Sequence, residues 1–183
     1  MDHQRAMNRL RRRDVLSAAL DYAVFDRTHG DHFYDPFEIE YALANRETLI
    51  SELIDELKNP GEFSPRSAFA YFSPKNDLCD RRMIYIPIKD LTVRYAIAIL
   101  FAEQVETEIH PQCFANRRAT GAEAKTRFTE DFSAGGWARF CQWQLDRCKE
   151  NTVLLRTDIS AFYPSFRRSR HRFLPPCARR RRS

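Results

Sequence analysis

The chain has 183 residues, enough for one domain with a sizeable core, and carries 30 Lys and Arg against 25 Asp and Glu for a formal net charge of +5. Residues 167–183 hold eight of the basic groups and no acidic ones, so residues 1–166 have 22 basic against 25 acidic groups and the positive charge belongs to the tail. Five cysteines without a Cys-x-x-Cys spacing argue against a zinc site, and the longest uncharged apolar run, Tyr95 to Ala102, is too short to span a membrane.

The first predicted helix covers residues 14–25. Its apolar residues recur at helical spacing and form one stripe, which consists of Leu16, Ala19, Leu20 and Ala23. The polar loop that follows contains His29 and His32 among several aspartates. We expect a solvated turn there, and a metal site is the alternative.

A second helical region begins at the run Asp35-Pro36-Phe37-Glu38. Asp35 is suited to be the N-cap, Pro36 suits the first helical position, and Glu38 stands where a capping box requires it. The helical pattern continues, with a break near Asn45, to a stop at residues 59–61, which read Asn-Pro-Gly.

Residues 66–88 read as two short strands around a turn next to Lys75. A long helix is predicted to follow with Asp90 as its N-cap. Steps of four and three residues place one apolar stripe on this helix, and we expect it to pack on a core; its members are Leu91, Tyr95, Ala98, Ala102, Val105 and Ile109.

A hinge or turn is expected at Gly135-Gly136, before a last helix over residues 137–148. Aromatic and apolar side chains form a stripe on that helix, and we interpret them as core residues rather than as a platform for stacking bases; they are Trp137, Phe140, Cys141, Leu145 and Cys148.

The apolar residues 153–155, flanked by β-branched threonines, predict a strand over residues 152–158 with Asp158 at its C-terminal end, directly before the aromatic turn Ile-Ser-Ala-Phe-Tyr163-Pro-Ser-Phe166. A carboxylate fixed at a strand terminus is a suitable hard ligand for Mg²⁺, and so Asp158 is the leading catalytic candidate. The alternative is structural, because Asp commonly ends a strand at a turn.

These segments together resemble the reverse transcriptases of the group II intron, retron and abortive-infection kinds. The family's first catalytic motif, Asp-Ile-x-x-Phe-Tyr-Pro-Ser-Ile, is met at every position except the last, where Phe166 stands. The run from Ser73 to Asp90 is similar to the family's fingers hairpin, and residues 111–118 to its Tyr/Phe-x-x-Arg segment. Residues 57–65 are similar to its passage from the N-terminal helices into the fingers. The resemblance covers roughly residues 36 to 166.

The resemblance implies an α/β fold made of N-terminal helices, the fingers and the first palm strand of a right-hand polymerase. The implied regions are N-terminal helices over 1–60, a fingers-like region over 61–150, the first palm strand and its turn over 151–166, and a basic disordered tail over 167–183. Because no Asp-Asp dipeptide occurs in the sequence and the family's paired aspartates follow the first motif, we expect an N-terminal fragment that is inactive alone.

The resemblance also assigns the site residues. Asp158 and the backbone carbonyl of Ile159 would hold Mg²⁺. Lys75 and Arg82 would bind the triphosphate of a deoxynucleotide, and Tyr163 would lie under its sugar. Arg81 competes with Arg82 for that role, and a hairpin that merely exposes basic residues is the plain structural alternative. Phe114 and Arg117 complete the set and would contact the template or the nucleotide.

The implied partners are an RNA template, a DNA primer and deoxynucleoside triphosphates. We expect a cytoplasmic protein that binds no membrane and has no signal peptide. The tail cannot bury a core and would bind polyanions without sequence preference. A frameshift or premature stop is the preferred origin of the tail, and a genuine nucleic-acid arm is the alternative. The competing function is therefore a non-catalytic nucleic-acid-binding or assembly module that uses the fingers and the tail.

Overall fold

The computed structural model describes residues 3–30, 35–58, 63–76 and 79–150, together with positions 153 and 155. Within these ranges the protein is mixed α/β and mostly helical, with six helices and one two-stranded antiparallel sheet. In chain order the elements are α1 His3–Leu10, α2 Arg13–His29, α3 Pro36–Ala44, α4 Arg46–Glu56, β1 Phe69–Asn76, β2 Cys79–Tyr85, α5 Ile88–Glu108 and α6 Trp137–Glu150.

Two compact units are distinguished, residues 1–143 and 144–183, and the boundary falls within α6. The first unit contains α1 to α5, both strands and the start of α6. Its core is helical. α2 packs along α5, while α1, α3 and α4 close the sides of this pair. Among the described helices, none is both long and apolar enough to cross a membrane.

The core forms because α2, α4 and α5 each bury a stripe of apolar side chains at helical spacing. All four predicted stripe residues of α2 are fully buried, which confirms that part of the sequence analysis. α4 contributes a second stripe, and the largest fully buried apolar side chains of the two helices are Leu16, Leu20, Leu49, Ile50 and Leu53. Each such burial stabilises the fold by about 1.5–3 kcal/mol.

The start of α3 and the break after it were predicted correctly. The carboxylate of Asp35 accepts hydrogen bonds from the backbone N–H groups of Phe37 at 3.0 Å and Glu38 at 3.3 Å, and Pro36 occupies the first helical position. The chain bends at Asn45, which ends α3 and begins α4. The predicted capping box was wrong, because the Glu38 carboxylate reaches Tyr85 and the start of α5 instead.

The start of α5 differs from the prediction. The helix begins at Ile88 after Pro87, two residues before Asp90. Asp90 is not the N-cap, because its carboxylate accepts hydrogen bonds from the backbone N–H and the guanidinium of Arg66. Proline explains the earlier start, since its fixed φ suits the residue that precedes a helix.

The predicted stripe of α5 divides into two environments. Leu91 is buried in the core with the residues that flank it. Farther along, Ala98, Ala102, Val105 and Ile109 line an open apolar groove of about 170 Å³, although Ala102 itself is buried. The sequence pattern correctly located an apolar face but not what covers it.

Two further differences from the prediction concern residues 132–136 and α6. Residues 132–136 form one turn of wider π-helical geometry that continues into α6, so Gly135-Gly136 is not a hinge between separate elements. The predicted core stripe of α6 is only partly covered, because Trp137 and Leu145 are 46% and 58% exposed and Cys148 is exposed. Phe140 is half-buried and contacts the ring of Phe114.

Candidate nucleotide-binding hairpin

Lys75 and Arg82 lie on the two strands of one antiparallel hairpin, as the sequence predicted. Phe72 pairs with Arg82, and the register continues through Pro74 with Asp80 to Asn76 with Cys79. One residue, Lys75, is therefore extra on β1 and forms a bulge. A bulge raises local twist and changes the direction of the side chain it carries. The side chain of Lys75 lies outside the described part of the protein.

The two faces of the hairpin differ in exposure, because successive residues of a strand point to opposite sides. One face is turned toward the protein, with Tyr71, Met83 and Tyr85 half-buried or buried. The other face is open, with Phe72 68% and Ile84 60% exposed. Arg82 belongs to this open face and Arg81 to the opposite one.

The Arg82 guanidinium is a free cation with respect to the described residues, since no hydrogen bond or ion pair joins it to any of them. The neighbouring Arg81 is likewise exposed and makes no such contact with the described residues, whereas one terminal nitrogen of Arg66 donates to both carboxylate oxygens of Glu56 at 2.7 and 2.9 Å. An exposed guanidinium beside apolar and aromatic side chains can form a fork of hydrogen bonds to phosphate oxygens without first breaking an internal contact.

The strand that enters the hairpin is held at its base by Arg66. Its guanidinium binds Glu56 at the end of α4 and Asp90 in the first turn of α5, at 3.2 Å, and its backbone N–H donates to Asp90 at 2.9 Å. Lys89 adds an ion pair to Glu52 on the same side. These half-buried charges tie the incoming segment to two helices of the core.

The strand that leaves the hairpin is held by Arg27 and Glu38. The Arg27 guanidinium lies over the ring of Tyr85, 4.5 Å from its centroid, and donates to the carbonyl oxygen of Ile86 at 2.5 Å. The Tyr85 hydroxyl donates to Glu38, whose other oxygen accepts from the backbone N–H of Ile88 at 3.0 Å. Burial, and then the hydrogen bond to Glu38, raises the pKa of Tyr85, so this hydroxyl stays a donor.

Sequence reasoning missed this second cluster. Arg27 continues the α2 stripe four residues after Ala23, and this position is a usable signal because a charged residue on a buried stripe needs partners inside the fold. Glu38 was interpreted as part of a capping box. Tyr85 was placed on a strand but received no role.

Phe114 and Arg117 make internal contacts in the structure. The Arg117 guanidinium binds the carboxylate of Glu106 on α5 at 2.8 and 3.0 Å, and the same carboxylate accepts from the backbone N–H of Arg118 at 2.7 Å. Phe114 contacts the rings of Phe140 and Trp143. These contacts fix the loop after α5, and the contact to template or nucleotide stays a prediction.

Three predicted site residues, Asp158, Ile159 and Tyr163, lie outside the described residues, as do most of the predicted palm strand and the whole tail. Across the ranges that are described, no group of three His, Cys, Asp or Glu side chains converges in a way that could hold a metal ion.

Comparisons of this chain with known protein families, with curated proteins and with solved structures each find no match.

Proposed function

We propose that the chain is the N-terminal, fingers and first palm-strand part of an RNA-directed DNA polymerase, a reverse transcriptase, and that its hairpin binds the triphosphate of a deoxynucleotide. The supporting observation is the exposed guanidinium of Arg82, which has no hydrogen bond or ion pair to the described residues, on a two-stranded hairpin whose other strand carries Lys75. A point charge and a bidentate fork at one hairpin form a suitable pair for a polyphosphate.

The choice between Arg82 and Arg81 follows from the alternation of the hairpin. Arg82 shares the open face with Phe72 and Ile84, whereas Arg81 lies on the face turned toward the protein. On the open face, the apolar side chains supply a surface for a base or a sugar next to the phosphate-binding group. We therefore assign the fork to Arg82.

In this proposal Asp158 supplies the catalytic carboxylate, and Asp158 and the backbone carbonyl of Ile159 hold Mg²⁺. Both are hard oxygen donors of the kind that Mg²⁺ requires, so the donor set fits the ion. When bound, Mg²⁺ would neutralise phosphate charge. Tyr163 would contact the nucleotide sugar, and the RNA template and DNA primer would be the macromolecular partners.

The competing proposal is a non-catalytic nucleic-acid-binding or assembly module that uses the fingers and the basic tail. Its supporting feature is the concentration of eight arginines within residues 167–183. The two proposals differ in the role of the hairpin, because a non-catalytic module does not require a specific contact between Arg82 and a deoxynucleoside triphosphate.

The test is titration calorimetry of the full chain with a deoxynucleoside triphosphate and Mg²⁺, at near-physiological salt, for the wild type, Arg82→Gln and Arg81→Gln. Both variants lose one positive charge from adjacent positions, so they are matched for non-specific attraction. We expect Arg82→Gln to weaken binding about tenfold, the equivalent of about 1.4 kcal/mol, and Arg81→Gln to change it less than about twofold. Equal effects of the two variants, or none, would exclude a specific phosphate contact at Arg82.

A second test is independent of binding. Translation of the encoding DNA in all three forward frames beyond the codon for Phe166 should reveal an aromatic-x-Asp-Asp segment. The absence of such a segment in every frame favours the stand-alone module.

A further inference from the structure

The junction between β2 and α5 is held at three points within residues 85–88 by two residues from other helices. Glu38 of α3 accepts from the Tyr85 hydroxyl and from the Ile88 N–H, and Arg27 of α2 donates to the Ile86 carbonyl. Between these points stands Pro87, whose φ of −53° is fixed by its ring. These contacts and the proline restrict the backbone where the hairpin meets the helical core.

The buried guanidinium of Arg27 does not maximise the stability of the folded protein. The residue is 5% exposed, and its Nε is buried without a hydrogen-bond partner among the described residues. A buried guanidinium with an unsatisfied nitrogen costs free energy, and an apolar side chain of similar volume would avoid that cost. What Arg27 provides is a directed contact, because it stacks on the Tyr85 ring and binds the next carbonyl at the same time.

We infer that Arg27, Tyr85 and Glu38 are positioning residues that set the direction of the hairpin and hold Arg82 ready for the triphosphate. Tyr85 is the central member, since its ring is covered by Arg27 while its hydroxyl binds Glu38. None of the three belongs to the open face that carries Arg82. They act on the ligand through the hairpin, and loss of any one lets the hairpin sample other directions.

The hairpin itself offers a direct readout of this motion, because trypsin cleaves after Arg81 and Arg82. A strand must open locally before a protease can cleave it, so the cleavage rate under native conditions reports how often the hairpin opens. Cleavage after the exposed Arg12, in the link between α1 and α2, is an internal reference in the same chain.

The experiment compares the full chain with Tyr85→Phe, Glu38→Ala and Glu38→Gln by limited trypsinolysis and mass spectrometry. Tyr85→Phe keeps the ring under Arg27 and removes the hydroxyl only. We expect Tyr85→Phe and Glu38→Ala to raise cleavage after Arg81 and Arg82 about fivefold relative to the reference site. Glu38→Gln retains an oxygen acceptor and should restore most of the protection.

The matched control is Glu40→Ala, which removes the same kind of side chain as Glu38→Ala from the same helix, α3, but at an exposed position. It should leave the relative cleavage of the hairpin unchanged. If Glu40→Ala raises cleavage as much as Glu38→Ala does, or if Tyr85→Phe has no effect, the positioning role is overturned.

The effect on the triphosphate rests on the proposed function, whereas the cleavage result does not. With the hairpin loosened by Tyr85→Phe, we expect triphosphate affinity to fall about threefold to fivefold, in the same direction as for Arg82→Gln. Raised cleavage with unchanged affinity, where Arg82→Gln does weaken binding, overturns the link from the cluster to the ligand. An Arg82→Gln variant with unaltered affinity overturns the proposed function and leaves the cleavage result as support for the cluster's hold on the hairpin.

Discussion

At the scale of single residues, carboxylate side chains satisfy the first backbone N–H groups of α3 and α5. Asp35 binds two backbone N–H groups at the start of α3, and Glu38 from that helix binds the first N–H of α5. The first N–H groups of a helix have no partner within the helix, so each carboxylate satisfies donors that would otherwise need water.

Replacement of Asp35 by Ala should lower the free energy of unfolding by about 1 kcal/mol, because α3 loses its N-cap. Urea denaturation measures this change. Asp55→Ala is the matched control, since the Asp55 carboxylate is exposed and its one ion pair with a described residue is to Lys58 three residues later. It should change the free energy of unfolding by no more than about 0.5 kcal/mol. Equal losses in the two variants would contradict a capping role for Asp35.

Tyr95 gives a prediction about alkaline pH. Its burial in the aromatic cluster with Tyr22 and Phe128, aided by the negative charge of Asp26, raises the pKa of Tyr95 to about 12. The folded state therefore holds this proton more tightly than the unfolded chain, in which the pKa is about 10. The resulting stabilisation is complete below about pH 10 and is lost as the pH rises toward about 12.

The measurement is the free energy of unfolding of the wild type and Tyr95→Phe at about pH 9 and about pH 11.5. Phenylalanine does not titrate, so the wild type should lose more stability than the variant over this interval. If the two proteins lose the same amount, then Tyr95 does not carry this pH dependence.

The sequence predicted the residues with local roles and missed those with distant partners. Asp35 and Pro36 were identified because a capping pattern is contained within four residues. The roles of Arg27, Glu38 and Tyr85 depend on contacts between residues about fifty positions apart, and no pattern of neighbouring residues in the sequence predicts such contacts. The same reasoning explains why Asp90 was misassigned, since its partner Arg66 lies on the far side of the hairpin.

At the scale of elements, burial decides how much each helix contributes. Leu53 of α4 is fully buried, and its replacement by Ala should lower the free energy of unfolding by about 2–5 kcal/mol through lost transfer free energy and the cavity left behind. Leu43→Ala is a matched control on the neighbouring helix, because Leu43 is half exposed.

Leu43→Ala should cost less than about 1 kcal/mol, since little apolar surface returns to water. Denaturant titration of both variants gives the comparison. A cost for Leu43→Ala equal to that for Leu53→Ala would mean that a further part of the protein covers the outer face of α3.

The sequence predicted whether an element is a helix or a strand wherever its apolar residues recur at a regular spacing. α2, the hairpin, α5 and α6 were all expected, and the bend at Asn45 was placed correctly. α1 was not expected, because residues 3–10 are mostly polar and charged and only Leu10 is deeply buried. The stripe of α5 was found, but periodicity identifies an apolar face without showing whether a core or an open groove lies beside it.

At the scale of the whole molecule, we predict that the 183-residue chain does not extend a primer. A polymerase of the proposed kind needs several fixed carboxylates for its metal ions, and the sequence contains no Asp-Asp dipeptide. Magnesium-dependent nucleotide incorporation on an RNA template measures this. Incorporation that is abolished by Asp158→Ala would show that the chain is an active enzyme by itself.

The charge distribution gives a separate prediction for nucleic-acid binding. Deletion of residues 167–183 removes eight arginines and leaves a net acidic chain, so filter retention of RNA or DNA should be lost. Retention by the intact chain should fall steeply with added salt, because each neutralised phosphate releases counterions. Salt-insensitive retention by the shortened chain would indicate a second, structured interface.

The packing of α2 along α5 also has a consequence for synthesis on the ribosome. The apolar stripe of α2 is made early, whereas the helix that covers it is separated from it by α3, α4 and the hairpin. Until Leu100 has emerged, the nascent chain carries an uncovered apolar face that cannot be buried by its near neighbours alone. A chain that stalls before α5 should therefore be held by chaperones or degraded, and the speed of translation through the hairpin should affect the yield of folded protein.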